Sequence, residues 1–132
     1  MNQDLPNAND TGRRKWHILT VLPESTPGEF LARATAEPTS PWFSGHFPGE
    51  PILPGIAQIH MVLETIQQAE KRDLLIAGLR RVRFRQVIQP GDEIAIRVRP
   101  RESEASAYSF QAEVGEEVAC SGILITAAAT GA

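Results

Sequence analysis

Apolar and polar positions alternate with a period of two along most of this chain and switch once to helical spacing. The residues around 16–22 and 29–36 form two short β-like segments. Pro23-Glu24-Ser25-Thr26-Pro27-Gly28 between them is rich in turn formers, so the pair is predicted to be a hairpin. From Pro38 to Gly55 the chain carries Pro38, Pro41, Pro48, Pro51 and Pro54 with Gly45 and Gly49, a density that excludes regular helix and central strand and leaves a stiff, shaped loop. Ile56, Ile59, Leu63 and Ile66 then recur at spacings of three and four, which predicts an amphipathic helix from Gly55 to about Lys71; Val62 widens its apolar stripe toward deep burial. Beyond it Val82 and Phe84 alternate with Arg81, Arg83 and Arg85, Pro90-Gly91-Asp92 makes a turn, and Ile94, Ile96 and Val98 alternate again, reading as two antiparallel strands. Tyr108, Phe110, Ala112 and Val114 continue the pattern, Gly115-Glu116 turns the chain, and Val118 to Ala127 is less polar, as a strand at the centre of a sheet would be.

The order β-β-loop-helix-β-β-β-β places one long apolar helix among antiparallel strands, so the helix must be covered by a sheet face: an α+β layer architecture. A length of 132 residues suits one domain. Residues 1–14 are polar and offer little apolar surface to bury, so the expectation is a flexible arm followed by a single domain over 15–132. A formal net charge of −3 argues against a global attraction to nucleic acid or anionic membrane. The single cysteine, Cys120, has no partner for an intramolecular disulfide and lies in an apolar stretch, as a buried structural thiol would. The N-terminal residues lack a secretory h-region, and no stretch approaches the ~20 apolar residues of a membrane span, so a cytoplasmic protein is expected.

The segment Gly45-His46-Phe47-Pro48-Gly49-Glu50-Pro51-Ile52-Leu53-Pro54-Gly55 resembles the active-site loop of the β-hydroxyacyl-[acyl-carrier-protein] dehydratases, whose pattern is Gly-His-Phe-Pro, two residues, Pro, two residues, Pro-Gly. Arg83-Phe84-Arg85-Gln86-Val87-Ile88-Gln89-Pro90-Gly91-Asp92 looks like a second segment of the same family, and with the helix between them the resemblance covers about Trp42 to Val98. It implies a hot-dog fold, an antiparallel sheet wrapped around one long central helix. It also implies a homodimer, or a multiple of dimers, in which the helix of one subunit meets the His-bearing loop of the other. An acyl tunnel lined by Phe47, Ile52, Leu53 and Ile56 would lie between the subunits, and no dissociable cofactor is implied.

The chemistry of the loop is intelligible in its own right. Dehydrating a β-hydroxyacyl thioester takes a base for the α-proton, an acid for the departing hydroxyl and donors for the thioester oxygen. His46 on a proline-stiffened loop suits the base. The free N–H groups where Pro54-Gly55 opens the helix, above all that of Gly55, suit the thioester oxygen, and glycine permits close approach. The family's acid, Glu or Asp, stands fourteen residues beyond this His, and here that position is His60. Three readings follow. His60 is itself the acid, since two nearby imidazoles repel a second proton and the pair holds one. Or Glu64, four residues on along the same helix face and ~6 Å further by helical rise, supplies the carboxylate or orients His60. Or His60 takes no catalytic part and the protein binds acyl chains without dehydrating them.

His17, beside Trp16 on an expected strand, reads as surface or strand packing, and the three histidines lack metal-site spacing. Arg80, Arg81, Arg83, Arg85, Arg97, Arg99 and Arg101 fall in a stretch whose only acids are Asp92 and Glu93. This makes either a positive face for an acidic acyl-carrier protein, centred on Arg81, Arg83 and Arg85, or a solvated edge. The function expected from the resemblance is elimination of water from a 3-hydroxyacyl thioester, on an acyl-carrier protein or coenzyme A, to a trans-2-enoyl product. The short N-terminus and the Gly55-to-His60 helix start are similar to the specialised dehydratases of polyene or polyketide-like pathways. A hot-dog thioesterase and a non-catalytic acyl-thioester-binding subunit are the alternatives.

Overall fold

A computed structural model describes residues 16–23, 27–43 and 51–129. The arm expected over residues 1–14 lies outside them, as do His46 and Phe47. The period-of-two segments become β1 (Ile18–Val21), β2 (Phe30–Thr35), β3 (Leu74–Phe84), β4 (Ile94–Pro100), β5 (Ala107–Val114) and β6 (Glu117–Ala128). All lie in one antiparallel sheet of order β1-β2-β4-β5-β6-β3. The helically spaced segment is helix α1 (Gly55–Glu70), and Pro41–Phe43 makes a short 3-10 turn in the loop before it.

The helix packs against β1 through β5. Ala32, Ala34 and Ala36 on the inner face of the β2 region are small, which lets the helix approach closely, while Ile94, Ile96 and Val98 of β4 fill the space beside it. Ile59, Val62, Leu63 and Ile66 are buried as their spacing predicts. Fully burying an aliphatic side chain contributes ~1.5–3 kcal/mol, so this stripe holds α1 against the sheet. Ile56 departs from it, 55% exposed, because the helix enters at the rim. Pro54 is the N-cap, with no side-chain cap and no acidic residue in the first turn. Lys71, left-handed at φ 56°, closes the other end by donating its N–H to the Gln67 carbonyl.

One expectation needs correction. β3 begins at Leu74 rather than near Arg81, and it does not pair with β4. It pairs with β6 and forms an edge, while β4 lies between β2 and β5. The connection spans the helix mouth: Leu53 N–H donates to the Ile88 carbonyl at 2.7 Å and Gly91 N–H to the Ala36 carbonyl at 2.8 Å. The turn residues Pro90-Gly91-Asp92 therefore carry the chain across the mouth instead of closing a hairpin. The β3–β6 ladder is also bulged. Register shifts fall between Ile76 and Gly78 and between Arg80 and Arg83, with Arg81 at φ 55°. Across the second bulge the strand keeps Val82 against the core and Phe84 opposite the buried Cys120, on the helix side as their alternation predicts, although Phe84 lies at the rim and is 53% exposed. Its ring covers Gly55, where a Cβ would lie 2.7 Å from Phe84 Cζ.

Candidate active site

Ile56, His60 and Glu64 are spaced four apart and share the outer face of α1, with Ile56 and His60 exposed and Glu64 half-buried. At the helix start, Ala57 N–H and Gln58 N–H both turn back to the Pro54 carbonyl, at 3.0 and 3.3 Å. The N–H groups of Gly55 and Ile56 find no acceptor among the described residues. These uncapped donors stand at the positive end of a sixteen-residue helix. Ile52 is half-buried beside them, whereas Leu53 is a core residue.

Against this helix face stands a second group. Trp42, in the Pro41–Phe43 turn, has its indole centroid 6.2 Å from the His60 imidazole, the rings tilted by 38°. Its own backbone N–H donates to Ser40 Oγ at 3.1 Å, and Ser40 Oγ donates to the Trp16 carbonyl. The Trp16 ring meets Trp42 edge-on at 4.7 Å. Trp42 Nε1–H donates to His17 Nδ1 at 3.1 Å, and His17 Nε2 lies 2.7 Å from Glu64 Oε1. The other Glu64 oxygen accepts from Gln68 Nε2 at 3.1 Å.

His17, read from the sequence as strand packing, thus joins Glu64 to Trp42, and among the described residues Glu64 bonds to His17 and Gln68 rather than to His60. Nothing local announces this contact: His17 and Glu64 are 47 residues apart in sequence. The only available signal was a pair of tryptophans, Trp16 and Trp42, in an aromatic-poor chain. His46 follows the described turn by three residues in sequence and, with Phe47, lies outside the described residues.

Apart from Arg101, which donates to Ser109 Oγ at 3.1 Å, the arginines of this stretch divide into two sets. Arg97 and Arg99 engage Glu29, at 3.7 and 3.5 Å, Arg97 also reaches Glu113 at 3.3 Å, and Arg80 pairs with Glu104. Arg81, Arg83 and Arg85, at and beyond the β3 bulge beside the helix mouth, are exposed and have no carboxylate partner among the described residues. Cys120 is fully buried in β6, and burial pushes its thiol up to about 11, so it is inert structure. No cluster of potential metal ligands occurs among the described residues, and no described helix is long and apolar enough to cross a membrane.

Comparison with known proteins bears on the family and the fold. The model of the ApeI-like family, described as ApeI dehydratase, matches residues 23–123. A 3-hydroxyacyl-[acyl-carrier-protein] dehydratase FabZ of Legionella pneumophila is 35% identical over 99 residues, covering 66% of each chain, so the match spans about two thirds of that relative's length. The protein of the same name from Haemophilus influenzae is 32% identical over 137 residues, covering 83% of this chain and 90% of its own. Among solved structures, the dehydratase heterocomplex ApeI:P from Xenorhabdus doucetiae superimposes with a TM-score of 0.70 at 25% identity over 81% of this chain and 96% of that one. A Pseudomonas aeruginosa thioesterase mutant shares the fold alone, with a TM-score of 0.59 at 10% identity. With the helix wrapped by its sheet and the family pattern carried through both the loop and the strand after it, this chain is a hot-dog-fold member of the ApeI-like dehydratase family.

Proposed function

We propose that the protein eliminates water from a 3-hydroxyacyl thioester held on an acyl-carrier protein, giving the trans-2-enoyl thioester. His46 takes the α-proton and His60 gives a proton to the departing hydroxyl. The C–H electron pair becomes the new double bond, and the C–O pair leaves with the hydroxyl as water. The Gly55 N–H receives the charge that builds on the thioester oxygen. The observation that carries this reading is the standing of His60. It is exposed on the outer face of α1, one and a half turns from the uncapped N–H groups, while the neighbouring carboxylate, Glu64, is engaged by His17. Phe47, Ile52 and Ile56 flank the acyl chain, and Arg81, Arg83 and Arg85 face the acidic carrier. A second copy, paired against the exposed β3 edge, completes the site as a homodimer or a multiple of it.

The test is to incubate the protein with 3-hydroxyacyl thioesters on carrier and on coenzyme A and to follow enoyl and free-acid products. The reading expects enoyl product, preferentially from the carrier. His60→Gln should lower the rate on the order of 10²-fold, within the usual span for general acid catalysis, and His60→Glu should preserve or raise it. Free acid alone would make it a thioesterase. A second reading is favoured by the Xenorhabdus neighbour being a heterocomplex: a non-catalytic acyl-binding subunit, revealed by acyl-thioester binding with neither product.

A further inference from the structure

Resting on the dehydratase reading, we propose that His17 is a positioning residue of this site, holding the Trp42 indole against His60, and that Glu64 serves as the anchor of that arrangement rather than as a proton donor. The argument is one of hydrogen-bond polarity. An indole N–H donates and never accepts. Since Trp42 Nε1 lies 3.1 Å from His17 Nδ1, that nitrogen accepts, and neutral His17 carries its hydrogen on Nε2. Nε2 then donates to Glu64 Oε1 at 2.7 Å. A proton on Glu64 Oε1 would face this N–H, and the opposite tautomer of His17 would face the indole N–H, so the carboxylate is an acceptor at that oxygen. Its second oxygen is taken by Gln68 Nε2 at 3.1 Å.

The direction of influence follows from burial and packing. The His17 side chain is only 10% exposed and the Glu64 side chain 35%. The chain Gln68, Glu64, His17, Trp42 therefore runs from the surface into the wall behind His60 and connects helix α1, the start of β1 and the 3-10 turn. Trp42 sits on a turn of three residues, with Trp16 on one side at 4.7 Å. The bond to His17 fixes the in-plane direction of the indole, and the indole stands 6.2 Å from the imidazole of His60.

The test uses the full chain and two readouts. In two-dimensional NMR of the indole N–H groups, with Trp16→Phe identifying the resonance of Trp42, His17→Phe should shift the Trp42 signal upfield and speed its exchange, and should also move the His60 ring protons. The same variant should lower kcat on the order of 10-fold with KM little changed, as expected when a reacting group is misplaced. His17→Gln, which can accept and donate in the same places, should recover part of both. Glu64→Gln keeps an acceptor for His17 and should lose far less activity than Glu64→Leu. Unmoved Trp42 and His60 signals in His17→Phe would overturn the proposal whatever the activity. Equal and near-complete loss in Glu64→Gln and Glu64→Leu, with the Trp42 signal intact, would overturn it in favour of Glu64 as the acid. If the unaltered protein makes no enoyl product, the dehydratase reading fails, and the NMR arm still decides whether His17 positions Trp42.

Discussion

At the scale of single residues, Gly55 has two demands on it. Its N–H finds no acceptor among the described residues, and its missing Cβ makes room for the Phe84 ring, which would otherwise be met at 2.7 Å. Phe84 is 53% exposed, so its ring can swing outward. In Gly55→Ala the helix-propensity gain of ~0.5–1 kcal/mol offsets much of that displacement. Urea unfolding should therefore move by less than about 1 kcal/mol, while dehydratase activity falls at least several-fold because the methyl and the displaced ring crowd the thioester. Alkaline pH should act elsewhere. Burial raises the Cys120 thiol from 9.0 to about 11. Burial first, then the hydrogen bond to Glu70 at 2.9 Å, raises the Tyr108 hydroxyl from 10.0 to about 12. For both groups the unfolded chain loses its proton first. Stability is fully present below pH 9 and declines as pH rises through the windows 9 to about 11 and 10 to about 12. The thermal midpoint should fall across this range, and Cys120→Ala should flatten the lower part of the decline even though the smaller side chain lowers stability overall.

At the scale of elements, β3 carries the least ordinary backbone. Arg81 is held at φ 55°, a left-handed conformation that costs a non-glycine residue on the order of 1 kcal/mol. Beyond the bulge it makes, Arg83 and Phe84 take opposite faces of the sheet, with Phe84 on the helix side over Gly55. If the arginines serve the carrier, Arg81→Gly should leave stability unchanged or raised by up to ~1 kcal/mol and yet weaken carrier binding. Changing Arg83 and Arg85 to Ser should slow carrier association and reduce its dependence on salt, read by surface-based kinetics at two ionic strengths. Carrier affinity and salt dependence left untouched by the double change would return these side chains to a merely solvated edge.

At the scale of the whole molecule, the sheet ends in an eleven-residue edge whose Leu75 and Leu79 are 53% and 43% exposed. A long edge with unpaired backbone groups and large apolar side chains is the kind of surface that recruits another strand. The homodimer proposed above predicts twice the chain mass in sedimentation at micromolar concentration. Leu75→Lys with Leu79→Lys should shift that mass toward the monomer and lower activity with it. A protein that sediments only as monomer while remaining active would remove the dimer from the account.

The sequence by itself determined what depends on near neighbours in the chain. Ile59, Val62, Leu63 and Ile66 specified a buried helix face because helical geometry brings such spacings together wherever the helix lies. Ile94 to Val98 and Tyr108 to Ala112 specified half-buried strands for the same reason. The Gly45–Gly55 and Arg83–Asp92 patterns were legible as a family resemblance because their residue types stand at fixed offsets in the chain. Only the tertiary structure decided what depends on distant partners. It placed β3 against β6 at the edge, not beside β4, since strand pairing is a choice among all strands of the sheet. It set a bulge at Arg81 that brings Phe84 opposite Cys120 and over Gly55, because the match between strands far apart in the chain is made only in the sheet. And it gave Glu64 to His17 across 47 residues, because a buried hydrogen bond is selected by folded geometry that leaves no periodic trace in the chain.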